Sequence, residues 1–411
     1  MFKSFKISNF RTHLNTELKL QDLTLVIGSN NSGKSNLLAA LSFFSKLVSN
    51  AFPDSEKDKL VRNSYYFANR HSLSSNNNPI VFHCEWGKDN INVTYQLELY
   101  CYEDEKVGCR ERLTFNNKTY ENGFDKQVSN LLLRTLIQKQ EKDIKIVELI
   151  DDFFRSLAFL YYYNFQPSLL KGQSFAVQYI NGEPKPAWKR DFLREFKEGK
   201  RPNIASEIGK EGANFQELIK YVKEEESETY NKFLGFLKRF EDSFVGIHID
   251  RGQVKWQFDM GNSNFPFFDA DKVSDGLIKA AAVALLCAMK RPPSVIMIEE
   301  VENGINQRNL AKFLDWLMNT SHNGNKTQFI LTSHSPSVIR EFADKIDCIY
   351  NVHLKRKKGY VSEVINLNEA IKPLVRFGSI KEEEYTEING VYHISPRALT
   401  ELFYNGVLAE L

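Results

Sequence analysis

Apolar and polar residues alternate at the start of the chain, Phe2-Lys3-Ser4-Phe5-Lys6-Ile7, which predicts a half-buried strand. Leu23-Thr24-Leu25-Val26-Ile27 is instead a nearly unbroken apolar run, the pattern of a strand covered on both faces. From Asn36 to Val48 the apolar residues recur at helical spacing. Alternation returns in Ile80-Val81-Phe82-His83-Cys84-Glu85-Trp86 and in Asn92 to Tyr100. Loops rich in Asn, Asp and Gly bound these runs up to about Tyr120, which predicts an antiparallel meander. The stretch from Asp125 to Glu241 is charged and mostly helical in pattern, broken by Tyr161–Pro167 and by Gly182–Pro186. Strands are predicted again at Phe244–Phe258. A helix (Asp275–Met289), a strand (Ser294–Ile298), a second helix (Gln307–Met318) and a second strand (Gln328–Thr332) follow. Strand and helix in alternation predict a mostly parallel sheet. Beyond Asn366 the periodicity is too weak to assign elements.

Composition changes this picture little. The chain has 411 residues, 42% hydrophobic and 26% charged, as in ordinary globular proteins. Its 54 Lys and Arg nearly cancel 52 Asp and Glu, so net charge argues neither for nor against nucleic acid. No apolar run approaches the roughly 20 residues of a membrane helix, and no secretory block follows the first residues. Cys84, Cys101, Cys109, Cys287 and Cys348 are widely spaced, with no zinc-type pairing, and read as reduced thiols of a cytoplasmic protein.

Candidate chemistry lies at the two ends. Gly28-Ser29-Asn30-Asn31-Ser32-Gly33-Lys34-Ser35 fits GxxxxGK[ST], between a predicted buried strand and a predicted helix. Such a loop offers backbone N–H groups and a helix N-terminus to a polyphosphate. Lys34 then meets the β- and γ-phosphates, and the Ser35 hydroxyl takes a site on Mg²⁺. Val295-Ile296-Met297-Ile298 ends in Glu299-Glu300, carboxylates at the C-terminal end of a buried strand. Glu299 is the candidate metal ligand and Glu300 the candidate general base for an attacking water. Ser274-Asp275-Gly276 opens a helix with good N-cap chemistry. Phe329-Ile330-Leu331 runs into Thr332-Ser333-His334-Ser335-Pro336, where His334 can touch a γ-phosphate.

These motifs, in this order, resemble the ABC-ATPase heads of the RecF/SMC superfamily, and within it the stand-alone ATPases of bacterial anti-phage and abortive-infection systems. Ile7-Ser8-Asn9-Phe10-Arg11 is similar to the family's first strand and loop, Gly28–Ser35 to Walker A, and Val273–Gly276 to the ABC signature. Glu299–Ile305 resembles Walker B and the D-loop, Thr332–Pro336 the H-loop, and Gly212-Ala213-Asn214-Phe215 a short Gly-x-Asn-Leu element. The sequence departs from the family at Glu299, where Asp is usual, at Val301 and Asn306-Gln307 in the D-loop, and at Asp275 in the signature. The extra methylene of Glu299 either slows hydrolysis or makes the Mg²⁺ contact water-mediated.

The resemblance implies an α/β, ABC-type P-loop NTPase with a mostly parallel core sheet, an N-terminal antiparallel meander and a helical lid insertion. The expected divisions are an N-terminal lobe (1–124), the lid (125–243), a C-terminal lobe (244–365) and a tail (366–411). It implies ATP and Mg²⁺ as cofactors, with Gly28, Asn30, Asn31, Ser32, Gly33, Lys34, Ser35 and Asn36 around the nucleotide. Arg11 lies either against the nucleotide or in a surface salt bridge, and Gln166 is either the Q-loop ligand of the metal or a surface glutamine. In the family the signature, here Ser274, Asp275 and Gly276, caps a nucleotide held by the other protomer, so a homodimer or higher homo-oligomer is expected. Too few residues follow His334 for a nuclease domain, and the middle segment lacks sustained heptads, so neither a nuclease nor a long coiled coil is expected. The leading expectation is an ATP-hydrolysing switch controlling a separate effector protein in anti-phage defence. The alternative is a DNA-binding repair or recombination ATPase acting on duplex DNA. Lys355-Arg356-Lys357-Lys358 is either a solvated hairpin tip or a contact for phosphate backbones.

Overall fold

A computed structural model describes residues 1–49, 78–101, 107–115, 118–125, 137, 141–172, 179–180, 183–184, 208–261, 263–290, 292–320, 327–355 and 361–410. Arg356–Lys358, most of the Gly182–Pro186 stretch and much of the expected lid lie outside these residues. The chain forms two compact units. One comprises Met1–Leu160, Ser294–Met297 and Gln328–Leu411, and the other Tyr161–Pro293 and Ile298–Thr327. The chain therefore passes from one unit to the other inside two strands, Leu160–Tyr163 and Val295–Ile298.

The first unit holds two sheets. One is antiparallel throughout, in the order His13–Lys19, Phe2–Phe10, Ile80–Lys88, Ile91–Cys101, Val107–Phe115, Lys118–Asp125. The alternation seen in the sequence sets its register: Ile7 faces Phe82, and Phe82 faces Leu97, all buried on one side. Asp89 and Asn90, both at positive φ (49° and 64°), close the two-residue hairpin. Helix Lys34–Val48 stacks Phe44 on Phe82, ring centroids 5.0 Å apart. Helix Ile144–Ala158 sets Phe154 edge-on against Tyr95 at 5.4 Å. These aromatic pairs tie both helices to the meander.

Strands Val361–Asn366, Ile349–Lys355, Leu23–Ile27, Gln328–Ser333 and Val295–Met297 follow one another in the second sheet. Leu23–Ile27 pairs in parallel with Gln328–Ser333 (Leu25 beside Leu331) and with Ile349–Lys355 (Leu25 beside Ile349). Every residue of Leu23–Ile27 and Gln328–Ser333 is buried, as continuous apolar runs require. The antiparallel strand Val361–Asn366 completes the edge. The C-terminal segment forms helix Leu367–Arg376, hairpin Tyr385–Ile388/Val391–Ile394 and helix Pro396–Tyr404. Ile394 N–H donates to Ala343 O at 3.0 Å and joins this segment to its unit.

The second unit is mainly helical. Asp275–Ala288 is buried on every side from Gly276 onward, which explains its almost unbroken apolar sequence. Helices Phe215–Glu225, Ser227–Phe240 and Gln307–Thr320 and a three-stranded antiparallel sheet, Phe244–Asp250, Gln253–Phe258 and Phe267–Asp269, belong to the same unit. Phe240 on Phe313 and Phe236 on Trp316 join two of these helices through ring contacts at 6.0 and 5.2 Å. Among the described residues no helix is long and apolar enough to cross a membrane.

Candidate nucleotide site

The first unit builds the glycine-rich loop. Gly28 and Gly33 have φ of 146° and 115°, which side chains rarely tolerate. Each also packs where a Cβ cannot go, 2.1 Å from Val352 O for Gly28 and 2.1 Å from Ser362 Oγ for Gly33. Helix Lys34–Val48 starts immediately after Gly33, two residues earlier than the apolar spacing alone predicts. Leu37 N–H donates to Gly33 O at 3.0 Å and is the first bond of the helical ladder. The N–H groups ahead of it belong to the first turn, which a helix presents to outside acceptors. The Lys34 ammonium folds over the loop and donates to Gly28 O and Ser29 O, both at 2.9 Å. Ser29, Asn30, Asn31 and Ser35 are exposed, whereas Ser32 is buried and its Oγ has no hydrogen-bond partner among the described residues.

Three residues that the sequence did not single out hold this loop from beneath. Asn36 Nδ2 donates to Thr12 Oγ1 at 3.1 Å, and Ser362 Oγ lies 2.8 Å from Thr12 Oγ1 and 2.6 Å from Ser32 O. A carbonyl can only accept, so the Ser362 proton goes to Ser32 O and the Thr12 hydroxyl donates to Ser362. The third residue is His13, whose Nε2 is 3.0 Å from Gly33 O and whose Nδ1 is 2.9 Å from Thr16 Oγ1. Burial pushes its pKa down to about 4, against the opposing pull of the Gly33 carbonyl, so the ring is neutral, with Nε2–H donating and Nδ1 accepting. His13 occupies an inward position of its strand, and a polar residue there is a legible signal. Arg11, at φ 52°, donates to Asn36 Oδ1 at 3.0 Å and so reaches the first turn of the loop's helix. His334 is half-buried just beyond strand Gln328–Ser333.

The second unit holds Glu299 and Glu300 beside the start of helix Asp275–Ala288. Glu299 N–H donates to Tyr163 O at 2.9 Å, and the Tyr162 hydroxyl donates to Glu299 Oε2. Glu299 is half-buried and Glu300 exposed, with Glu300 at φ 47°. Lys279 lies inside the apolar helix Asp275–Ala288 and donates to the carbonyls of Glu300, Val301 and Asn303 at 2.7, 3.2 and 3.0 Å. A lone lysine in that run was the available signal for it. Burial lowers its pKa to about 8, against the opposing charges of Glu302 and Glu300. A Cβ on Gly276 would lie 3.1 Å from Gly304 O, so helix Asp275–Ala288 starts in tight contact with the turn at Gly304. Ser274 caps that helix by accepting from Leu277 N–H at 3.3 Å, and Asp275 pairs with Lys171 at 2.6 Å. Ser274 and Asp275 are exposed. Gln166 is also exposed, ahead of the short helix Pro167–Leu170, with its N–H on Glu211 O at 3.1 Å. Gly212 packs against Leu170, where a Cβ would come within 2.3 Å.

The fold is that of an SMC head domain, and it carries a GxxxxGK[ST] loop between a buried strand and a helix. Residues 23–340 match the family described as "AAA domain, putative AbiEii toxin, Type IV TA system", and the chain belongs to that family. None of the curated proteins matches the chain. Among solved structures, an SMC head bound to the C-winged helix domain of ScpA is 14% identical, covering 90% of this chain and 99% of that one, with a TM-score of 0.50. The SMC head domain from Thermotoga maritima is 14% identical over 89% of this chain and 98% of its own, with a TM-score of 0.38. An SMC head with an extended coiled coil, bound to the C-terminal domain of ScpA derived from Pyrococcus furiosus, is 14% identical over 92% and 99%, with a TM-score of 0.40.

Proposed function

We propose that this ATPase head binds MgATP in the Gly28–Ser35 loop, hydrolyses it and dimerises through it, and that the nucleotide state controls a separate effector protein. The observation that carries the reading is the Lys34 ammonium lying across the Gly28 and Ser29 carbonyls at the start of a 15-residue helix. A polyphosphate is the ligand class that matches a cation, turn N–H groups and a helix N-terminus on one loop. The Ser35 hydroxyl and the Glu299 carboxylate are hard oxygen donors, the kind Mg²⁺ takes. When bound, the metal neutralises phosphate charge.

On this reading Lys34 holds the β- and γ-phosphates, and Asn30, Asn31, Ser32, Asn36 and Arg11 line the nucleotide. Ser35, Glu299 and Gln166 are the metal contacts. Glu300 takes the proton of the attacking water, and His334 orients the γ-phosphate. Ser274, Asp275 and Gly276 serve the nucleotide of the other protomer, a role supported by the exposure of Ser274 and Asp275 at a helix N-terminus. Control of an effector is supported by the family description, which names a toxin–antitoxin system, and by an SMC head of the same fold carrying a protein domain.

Two experiments test these parts. Lys34→Ala and Ser274→Arg, each inactive alone, regain ATPase activity when mixed, because one site per mixed dimer pairs an intact loop with an intact signature. No recovery in mixed dimers shown to form contradicts a shared site. The effector binds the ATP-trapped Glu300→Gln chain and the Lys34→Ala chain with different affinity, since a ligand shifts states only through differential binding. Equal binding to both, with tight ATP-dependent binding of duplex DNA, contradicts effector control.

A further inference from the structure

We propose that Tyr162 is a positioning residue for the carboxylate of Glu299, and that it sets the affinity of this protein for Mg²⁺. The inference rests on the reading of Glu299 as a metal ligand given above. A glutamate side chain has one more rotatable bond than an aspartate, so its carboxylate is less confined unless something else fixes it. Here the Glu299 main chain is fixed by its N–H on Tyr163 O at 2.9 Å, and the side chain by the Tyr162 hydroxyl on Oε2. A hydrogen bond to an ionised carboxylate is among the stronger kinds.

Tyr162 is itself held. Tyr163 turns to the opposite face of the strand, is fully buried, and stacks on Phe165 at 4.7 Å. That leaves Tyr162 on the face where the Lys210 ammonium sits 4.2 Å from its ring centroid. A cation over the ring face draws electron density from the phenol and makes its O–H a better donor. Lys210 is anchored through its own carbonyl, which accepts from Asn164 N–H at 2.7 Å, and the next carbonyl, Glu211 O, accepts from Gln166 N–H. The segment before Gly212 thus steadies the tyrosine, and the tyrosine steadies the acid. Partners that orient a metal ligand in this way typically carry roughly 10–100-fold in metal affinity.

The test uses the full chain and two probes, a fluorescent ATP analogue titrated in EDTA and at rising Mg²⁺, and Mn²⁺ followed by electron paramagnetic resonance. Tyr162→Phe removes one oxygen and keeps the ring. Its expected result is a Mg²⁺ half-saturation raised about tenfold, weaker Mn²⁺ binding, unchanged nucleotide affinity in EDTA and an unchanged melting temperature. In a Glu299→Asp background, where the shorter side chain no longer reaches the hydroxyl, Tyr162→Phe has no added effect. Wild-type Mg²⁺ half-saturation in Tyr162→Phe, alongside lost Mg²⁺ dependence in Glu299→Ala, overturns the role of Tyr162 alone. Retained Mg²⁺ dependence in Glu299→Ala overturns the metal-ligand reading as well.

Discussion

The Lys279 ammonium, buried in helix Asp275–Ala288, lies 2.7 Å from the main-chain carbonyl of Glu300. It also reaches Val301 O and Asn303 O, so one side chain satisfies three carbonyls of the turn that presents the candidate base. Its pKa falls from 10.5 to about 8, chiefly through burial. Between those values the unfolded chain binds the proton that the folded chain has lost, so folding stability rises with pH across that window. Against Lys279→Met, wild type gains about 3 kcal/mol from pH 8 to pH 10.5. Urea unfolding of both chains at pH 7 to 10.5 measures this. Parallel curves contradict a Lys279 pKa lowered by burial.

His13 gives the mirror case in acid. Its pKa is lowered from 6.5 to about 4 by burial, so below 6.5 the unfolded chain takes up a proton that the folded chain refuses. Stability therefore falls as pH drops from 6.5 towards 4, by up to about 3 kcal/mol from this group. His13→Gln, which keeps a donor for Gly33 O, loses less stability than wild type between pH 7 and pH 5. Urea melts at those two values decide it, and an equal loss in both contradicts a neutral buried His13.

The hydroxyl relay beneath the loop has its own prediction. Ser362→Ala removes the donor to Ser32 O and leaves a buried carbonyl without that partner, which costs about 1–3 kcal/mol. The loop then loses its fixed shape, and ATP affinity falls several-fold while the Lys34 charge remains. Isothermal titration with ATP and a thermal melt check both outcomes. Unchanged affinity with lowered stability confines Ser362 to a structural role.

Local chemistry made half of this legible from sequence. GxxxxGK[ST], the apolar runs of Leu23–Ile27 and Val295–Ile298 and the cap Ser274 each declare themselves within a few neighbouring residues. The supports did not, because they join distant positions: Ser362 meets Thr12 across 350 residues, and Tyr162 meets Glu299 across 137. No periodicity encodes such pairs. Lys279 was readable as a charge in an apolar helix, but its partners are main-chain carbonyls, which carry no residue signature. The C-terminal elements escaped for a different reason. Helix Leu367–Arg376 contains Pro373, a residue that reads as a breaker, and the hairpin strands Tyr385–Ile388 and Val391–Ile394 have only four residues each. Their turn, Asn389-Gly390 at φ 54° and 82°, was a hairpin signal in plain view.

The most direct measurement of the central claim is phosphate release and ATP binding by wild type, Lys34→Ala and Glu300→Gln in the same buffer. Lys34 supplies the fixed charge of the loop, so Lys34→Ala is expected neither to bind nor to hydrolyse ATP. Glu300→Gln keeps the loop intact and cannot accept a proton. It is expected to bind ATP as wild type does and to release phosphate at least about 100-fold more slowly. Wild-type turnover by Glu300→Gln, or unaltered ATP binding by Lys34→Ala, contradicts the account.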